Sequence, residues 1–397
     1  MIKRHMLLII IAIDAIILLT QTLEISISYS EASLVYGDFS FLQFFVKSSI
    51  YLFGQNDFAL RLPMIITHLL SVALLYEISK KYVSKETDRL WLILLFILLP
   101  GVISAALLVN SAGLVIFGLF LFLYLQEKFS NIGTNLLLFS YLFVDQGFAY
   151  LFLGLSVYHL YSKQKYGAFY NMALFLSSVY MYGSRTFGVP KGHFLDTIGI
   201  YSTIFTPIIF VFIFYTLYRR LLAQKRDMIW YLAATSLILS LLLSFRQRVA
   251  VEDFAPYLLI ALPLMAQTFI HSYRVRLKPF RKRYRLLFIL TFVFLIFNYL
   301  VVIFNKELYL ILENPKKHFA YDSHIAKKIA QQLKDKNITC VATNKKMSLR
   351  LQFYEINSCD EYVLADNDLD LNNNADVTIS YKNKIIYSAN VTKLNNK

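Results

Sequence analysis

Eleven apolar runs, most near the length that crosses a bilayer, dominate this chain of 397 residues. A hydrocarbon core of roughly 30 Å takes about 20 residues of α-helix. The runs lie at Met6 to Leu23, Leu62 to Ser79, Leu90 to Leu108, Ala112 to Gln126, Asn135 to Val144, Phe148 to Tyr161, Phe169 to Tyr182, Ile198 to Tyr218, Met228 to Ser244, Phe254 to Ile270 and Leu286 to Phe304. Inside lipid every backbone N–H and C=O must be satisfied within the chain, which leaves helices as the reading for runs this long. The fold class predicted is an all-α polytopic membrane protein of about 11 transmembrane helices. With 57% hydrophobic and only 16% charged residues, an ordinary soluble protein is excluded. The fifth and sixth runs are short and separated only by Asp145-Gln146-Gly147, a spacing that predicts a tight helical hairpin.

The net charge of +15 would point to nucleic acid in a soluble chain, so its distribution decides what it means. With a cytoplasmic N-terminus, the cytoplasmic segments collect 20 of the 40 Lys and Arg and five acids, and the remainder of the chain balances to zero. The whole excess then marks orientation by the positive-inside rule, and no basic surface is left for nucleic acid. Seven of those residues crowd into Arg274 to Arg285, read as an anchor lying on anionic membrane lipids. No small-residue cleavage pattern follows Met6 to Leu23, so this run is read as a retained span. An odd span count places the C-terminal segment outside, and the localisation predicted is a bacterial inner membrane with a periplasmic C-terminal domain.

After Phe304 the apolar runs stop, which divides the chain into a transmembrane domain, 1–305, and a small soluble α/β domain, 306–397. Ile325, Ala326, Ile329, Ala330 and Leu333 follow helical spacing. A strand over Ile338 to Ala342, a short helix near Ser348 to Tyr354, a strand over Glu361 to Leu364 and a terminal hairpin around Lys382-Asn383-Lys384 make a βαβ-like unit. Cys340 and Cys359 fall in this domain, where a disulfide and two buried thiols are both open readings. The run Asp366 to Asp370 has Leu371 where a calcium loop needs Gly, and reads as a solvated turn.

Ionisable groups at or inside spans are costly, and each is a functional candidate. The first outer loop, Glu24 to Leu60, carries Glu31 and Asp38, then an apolar stretch, Phe39 to Phe53, suited to lie on the outer leaflet as an interfacial helix. Later outer loops bring Asp145, then Arg185, Lys191 and His193, then Arg246 and Arg248. Asp38, Asp57, Glu252 and Asp253 also read as solvated loop charges, and Asp14 inside the first span as either a contact to a neighbouring helix or a catalytic group. Sugar transfer from a lipid phosphate suits such a set. A carboxylate, Glu31 or Asp38, accepts the acceptor's hydroxyl proton, and cations, Arg246, Arg248 and Lys191, grip the phosphate that leaves. Asp145, Arg185 and His193 are further candidates. No metal site is predicted from spacing, and a divalent ion is left open.

The stretch Leu52-Phe53-Gly54-Gln55-Asn56-Asp57-Phe58-Ala59-Leu60-Arg61-Leu62-Pro63 resembles the signature that opens the second span of glycosyltransferase family 39, which contains protein O-mannosyltransferases and the aminoarabinose transferases of lipid A. Gly188 to Phe194 and Pro256 to Pro263 are similar to a later outer loop and a later span of that family. The resemblance covers roughly residues 25 to 270. It implies the GT-C fold, an active site on the extracytoplasmic face, a polyprenyl-phosphate sugar as donor, inversion at the sugar carbon, and a lipid, glycan or protein acceptor. The family's first loop opens with Asp-Glu, where this chain has Ser30-Glu31, so the resemblance leaves Glu31 as the leading base and Asp38 as the alternative. A catalytically silent relative acting as a membrane partner, and a lipid or solute transporter, are the competing readings.

Overall fold

The structure is a computed structural model that describes residues 2–183, 186–187, 191–366 and 375–393. All eleven predicted runs are helical. Three are long unbroken helices apolar enough to cross a membrane, Ile2–Glu24, Asp57–Ser79 and Arg281–Ile303. Three more are broken, where a single span was predicted. Glu86–Ile97 turns by 64° into Pro100–Leu107, Phe194–Phe205 by 106° into Pro207–Leu222, and Val251–Leu259 by 44° into Leu262–Val275. A proline stands at the first or second position of each following helix, Pro100, Pro207 and Pro263. The missing N–H costs nothing there, while the ring disfavours helix in the residue before it. Thr206, immediately ahead of Pro207, is out of the helix at φ +65° and ψ 145°.

The remaining five runs form helices of 11 to 18 residues. The predicted hairpin of the fifth and sixth runs is replaced by a different pairing. Ala149–Tyr161 packs chiefly on Lys165–Tyr182 and Met228–Ser244 rather than on Asn131–Tyr141. The reason is close approach: a Cβ on Gly154 would lie 2.8 Å from Leu232 Cδ2, and one on Gly167 would lie 3.0 Å from the His159 ring. Small residues of this kind let helices in lipid pack backbone to backbone.

By internal contacts the chain forms two compact units, Met1–Ala15 with Met64–Tyr299, and Ile16–Pro63 with Leu300–Lys397. The first is a helical bundle with one continuous apolar core. In it Asp14 meets His68, Oδ2 to Nε2 at 2.8 Å, both buried, so the charge inside the first span is a contact to a neighbouring helix. The His68 ring in turn stacks on Phe96.

The second unit contains the predicted soluble region and, with it, the first predicted outer loop. Its sheet places Lys384–Lys393 between Tyr362–Asp366 and Val377–Tyr381, all antiparallel. The predicted strand Ile338 to Ala342 is reduced to two parallel bridges, Cys340 with Asn357 and Ala342 with Val363, on either side of helix Lys345–Phe353. Cys340 and Cys359 form a disulfide across this connection. Closing a loop of this size stabilises by about 3 kcal/mol on the chain-entropy account. The calcium-like run lies outside the described residues beyond Asp366.

Helix Asp322–Asp335 buries Ile325, Ala326, Ile329, Ala330 and Leu333 against this sheet. On the same helix, His324 is buried, shares a hydrogen bond with the Tyr309 hydroxyl at 2.9 Å, and lies beside His318, Lys306 and Lys328. Burial, reinforced by those cations, pushes the imidazole down to about 3. The folded state therefore resists a proton that the unfolded chain takes up at its ordinary value of 6.5. The stability this contributes is complete above that value and is lost as pH falls from about 6.5 towards 3. The melting temperature of the wild type in detergent is expected to drop more steeply across this window than that of His324→Gln; parallel profiles would remove His324 as the cause.

Candidate functional site

The segment Ile25–Ser28, extended between helices Ile2–Glu24 and Tyr29–Tyr36, has almost every backbone polar group satisfied by a named partner. Ser26 N–H donates to Ser323 O at 2.8 Å, Ile27 N–H to the Tyr354 hydroxyl at 2.9 Å, and Ser28 N–H to Glu31 Oε2 at 2.8 Å. On the acceptor side, Arg61 donates to Ile25 O at 2.7 Å and to Ser26 O at 3.0 Å, while Arg350 Nε donates to Ile27 O at 3.1 Å. Two buried arginines thus fix a loop that would otherwise be free to fray.

Arg61 is wholly buried at the start of helix Asp57–Ser79. Its Nη2 ion-pairs with Glu31 Oε2 at 3.0 Å, and its Nη1 lies 3.8 Å from Asp57 Oδ1. Asp57 also accepts from the Tyr354 hydroxyl at 2.6 Å and pairs with Lys327 at 2.9 Å. Burial and the adjacent Asp57 carboxylate push the Tyr354 phenol far above its ordinary value, so it remains a donor. Two carboxylates and two cations balance to zero, the condition under which charges can be buried at tolerable cost. Asp57 is only 3% exposed, which corrects its reading as a solvated charge.

The two candidate bases therefore sit in different surroundings. Glu31 is 0% exposed, and its side chain closes a capping box with Ser28 at the start of Tyr29–Tyr36 while pairing with Arg61. Asp38 is exposed in the bend before Phe41–Phe53. That helix is capped by Ser40 and held by Gln43, whose buried amide donates to Leu34 O at 2.8 Å and Gly37 O at 2.9 Å. Its other side exposes Phe44, Phe45, Tyr51, Leu52 and Phe53, the apolar face predicted for an interfacial helix.

In the helical unit the other candidates lie on segments tied to one another. Asp145 caps a short turn through Gly147 N–H at 2.7 Å, and the next residue, Gln146, donates to Gly183 O. Tyr257 donates to Gly147 O at 2.7 Å. Thr186–Phe187 pairs with Arg248–Val249, and His193 N–H donates to Ser244 O at 2.8 Å. Lys191, Arg246 and Arg248 are exposed on these segments, and His193 Nδ1 is 3.1 Å from Asp196 Oδ2. Glu252 is exposed, but Asp253 is 1% exposed and is not the solvated charge predicted. Arg185 lies outside the described residues. Among the described residues no three His, Cys, Asp or Glu side chains converge as a metal set.

The residues that sequence reading passed over are Arg61, Tyr354, Lys327 and Arg350. Arg61 carried a signal, being a charge framed by Leu60 and Leu62 at the head of an apolar run. Removing either partner of the buried pair strands the other, at about 3–5 kcal/mol. Arg61→Gln and Glu31→Gln should each lose that much stability in thermal unfolding of the full chain. The double variant should lose less than the two combined, and simple additivity would show that the pair is not coupled.

No protein-family model and no curated protein sequence matches the chain. Among solved structures, the crystal structure of ArnT from Cupriavidus metallidurans in the apo state is similar, with a TM-score of 0.50 and 10% sequence identity over 91% of this chain and 93% of that one. At this identity the likeness is one of fold: the chain shares the polytopic helical fold of that structure, with a small three-stranded sheet near its C-terminus.

Proposed function

We propose that this chain is an integral-membrane glycosyltransferase of the GT-C type, resident in a bacterial inner membrane, that moves a sugar from a polyprenyl-phosphate donor to a lipid, glycan or protein acceptor at the periplasmic face. The observation that carries the reading is the first predicted outer loop. An internally neutral clamp around Arg61 fixes it, Phe41–Phe53 presents an aromatic face suited to the leaflet, and Asp38 is left exposed between them. The ArnT-like fold over nearly the whole chain and the resemblance to family 39 support the same chemistry.

The reaction asks for little covalent work from the protein. The acceptor's oxygen attacks the anomeric carbon, the bond from that carbon to the phosphate oxygen breaks, the hydroxyl proton passes to a carboxylate, and polyprenyl phosphate departs with inversion. Asp38 takes the proton in this proposal, because an exposed carboxylate can reach a hydroxyl. Glu31, paired with Arg61 and capping a helix, positions the loop. Arg246, Arg248 and Lys191 are the cations proposed for the leaving phosphate, with Arg suited to paired phosphate oxygens. Asp145, Arg185 and His193 are the remaining candidates.

A positioned general base contributes about 10² to 10⁴ in rate. Asp38→Asn is therefore expected to lower the release of polyprenyl phosphate from a polyprenyl-phosphate sugar by at least about 100-fold with its melting temperature unchanged. Unaltered turnover would withdraw Asp38 from the role. The substitution of Ser30 where the family has Asp favours one second reading, a silent relative, which donor binding by the wild type without any turnover would establish.

A further inference from the structure

The helical unit holds a groove of about 310 Å³ between Glu86–Ile97, Pro207–Leu222, Leu262–Val275 and Arg281–Ile303. Its walls are Trp91, Phe212, Met265, Phe269, Phe288 and Phe292. Trp91 meets Phe288 and Phe292 edge-on at 5.5 and 5.2 Å, and Phe269 stacks on Phe288 at 5.8 Å, so the rings brace one another and the groove keeps its shape. The basic side chains Arg274 and Arg285 also line it. Arg274 is engaged by Asp88. Arg285 is exposed and has no hydrogen-bond or ion-pair partner among the described residues. The stretch from Arg276 to Arg283 adds five further basic residues and no acid.

We propose that this groove is a binding site for an anionic diacyl phospholipid, with the headgroup phosphate on Arg285 and one acyl chain lying among the aromatic rings. Charge complementarity chooses the occupant. An apolar slot open at an uncompensated arginine fits a molecule with a long hydrocarbon tail and a negative head, and basic pockets between transmembrane helices are where acidic headgroups bind. The volume lies at the lower end of ligand pockets, large enough for a chain and too small for a folded partner. Under the positive-inside reading this end faces the cytoplasm, the leaflet opposite the proposed chemistry. The site is independent of sugar transfer, so it stands or falls separately from the glycosyltransferase reading.

Trp91 is a built-in probe, since the chain has only two tryptophans and Trp230→Phe leaves it alone. In nanodiscs of phosphatidylcholine doped with either brominated phosphatidylglycerol or brominated phosphatidylcholine, Trp91 fluorescence is expected to be quenched several-fold more effectively by the anionic lipid. Arg285→Gln should cut that preference about fivefold, the worth of one basic residue at an acidic surface. Thr291→Phe, which fills the groove, should abolish it. Equal quenching by the two lipids would overturn the proposal. Reversal of the quenching by a polyprenyl phosphate but not by unlabelled phosphatidylglycerol would overturn the assignment to a phospholipid. Should Trp230→Phe fail to fold, native mass spectrometry of the wild type tests the same site: selective retention of phosphatidylglycerol over phosphatidylcholine supports it, and equal or absent retention refutes it.

Discussion

The ion pair between Arg61 and Glu31 is the constraint on which the second unit depends. An arginine with no exposed surface has to be paid for in hydrogen bonds, and Arg61 makes them to two backbone carbonyls and one carboxylate, with a second carboxylate at longer range. The two bonds to Ile25 O and Ser26 O also satisfy backbone carbonyls of the loop. The same residues therefore do two jobs: they neutralise a buried charge, and they hold the first predicted outer loop in one conformation. The exposed carboxylate and the helix Phe41–Phe53 that follow take their places from that anchor.

Much of this fold was legible because hydropathy is a local signal. A run of apolar residues becomes a helix whatever its neighbours do, and all eleven runs are helical. Pro100, Pro207 and Pro263 were also visible in the sequence, but whether a proline merely starts a new span or bends an existing one depends on packing, and three single spans were predicted where bent pairs exist. The alternative pairing of Ala149–Tyr161 was hidden for a related reason. Gly154 and Gly167 matter through the side chains they admit, Leu232 and His159, and those belong to other helices or other turns.

The candidate site was less legible, since its partners are remote in sequence. Glu31 stood out in the sequence as a candidate carboxylate, but the cation that neutralises it lies thirty residues on and the tyrosine that completes the cluster lies in the C-terminal region. Asp57 and Asp253 illustrate the same limit, because composition gives a loop carboxylate no sign of burial. Asp14 went the other way. Its position inside an apolar helix demanded a partner, and only the identity of His68 had to come from the structure.

The hydrogen bonds of Ile25–Ser28 also set an order of events during synthesis. Ile27 waits for Arg350 and Tyr354, which follow it by 323 and 327 residues. Ser26 likewise waits for Ser323. Such contacts carry the loop-closure cost of nearly the whole chain and come late in folding. Until the last part of the polypeptide has been made, the first loop is an unfinished strand of backbone in need of a custodian. A nascent chain halted before Ser323 would present that loop open, to a chaperone or to a protease.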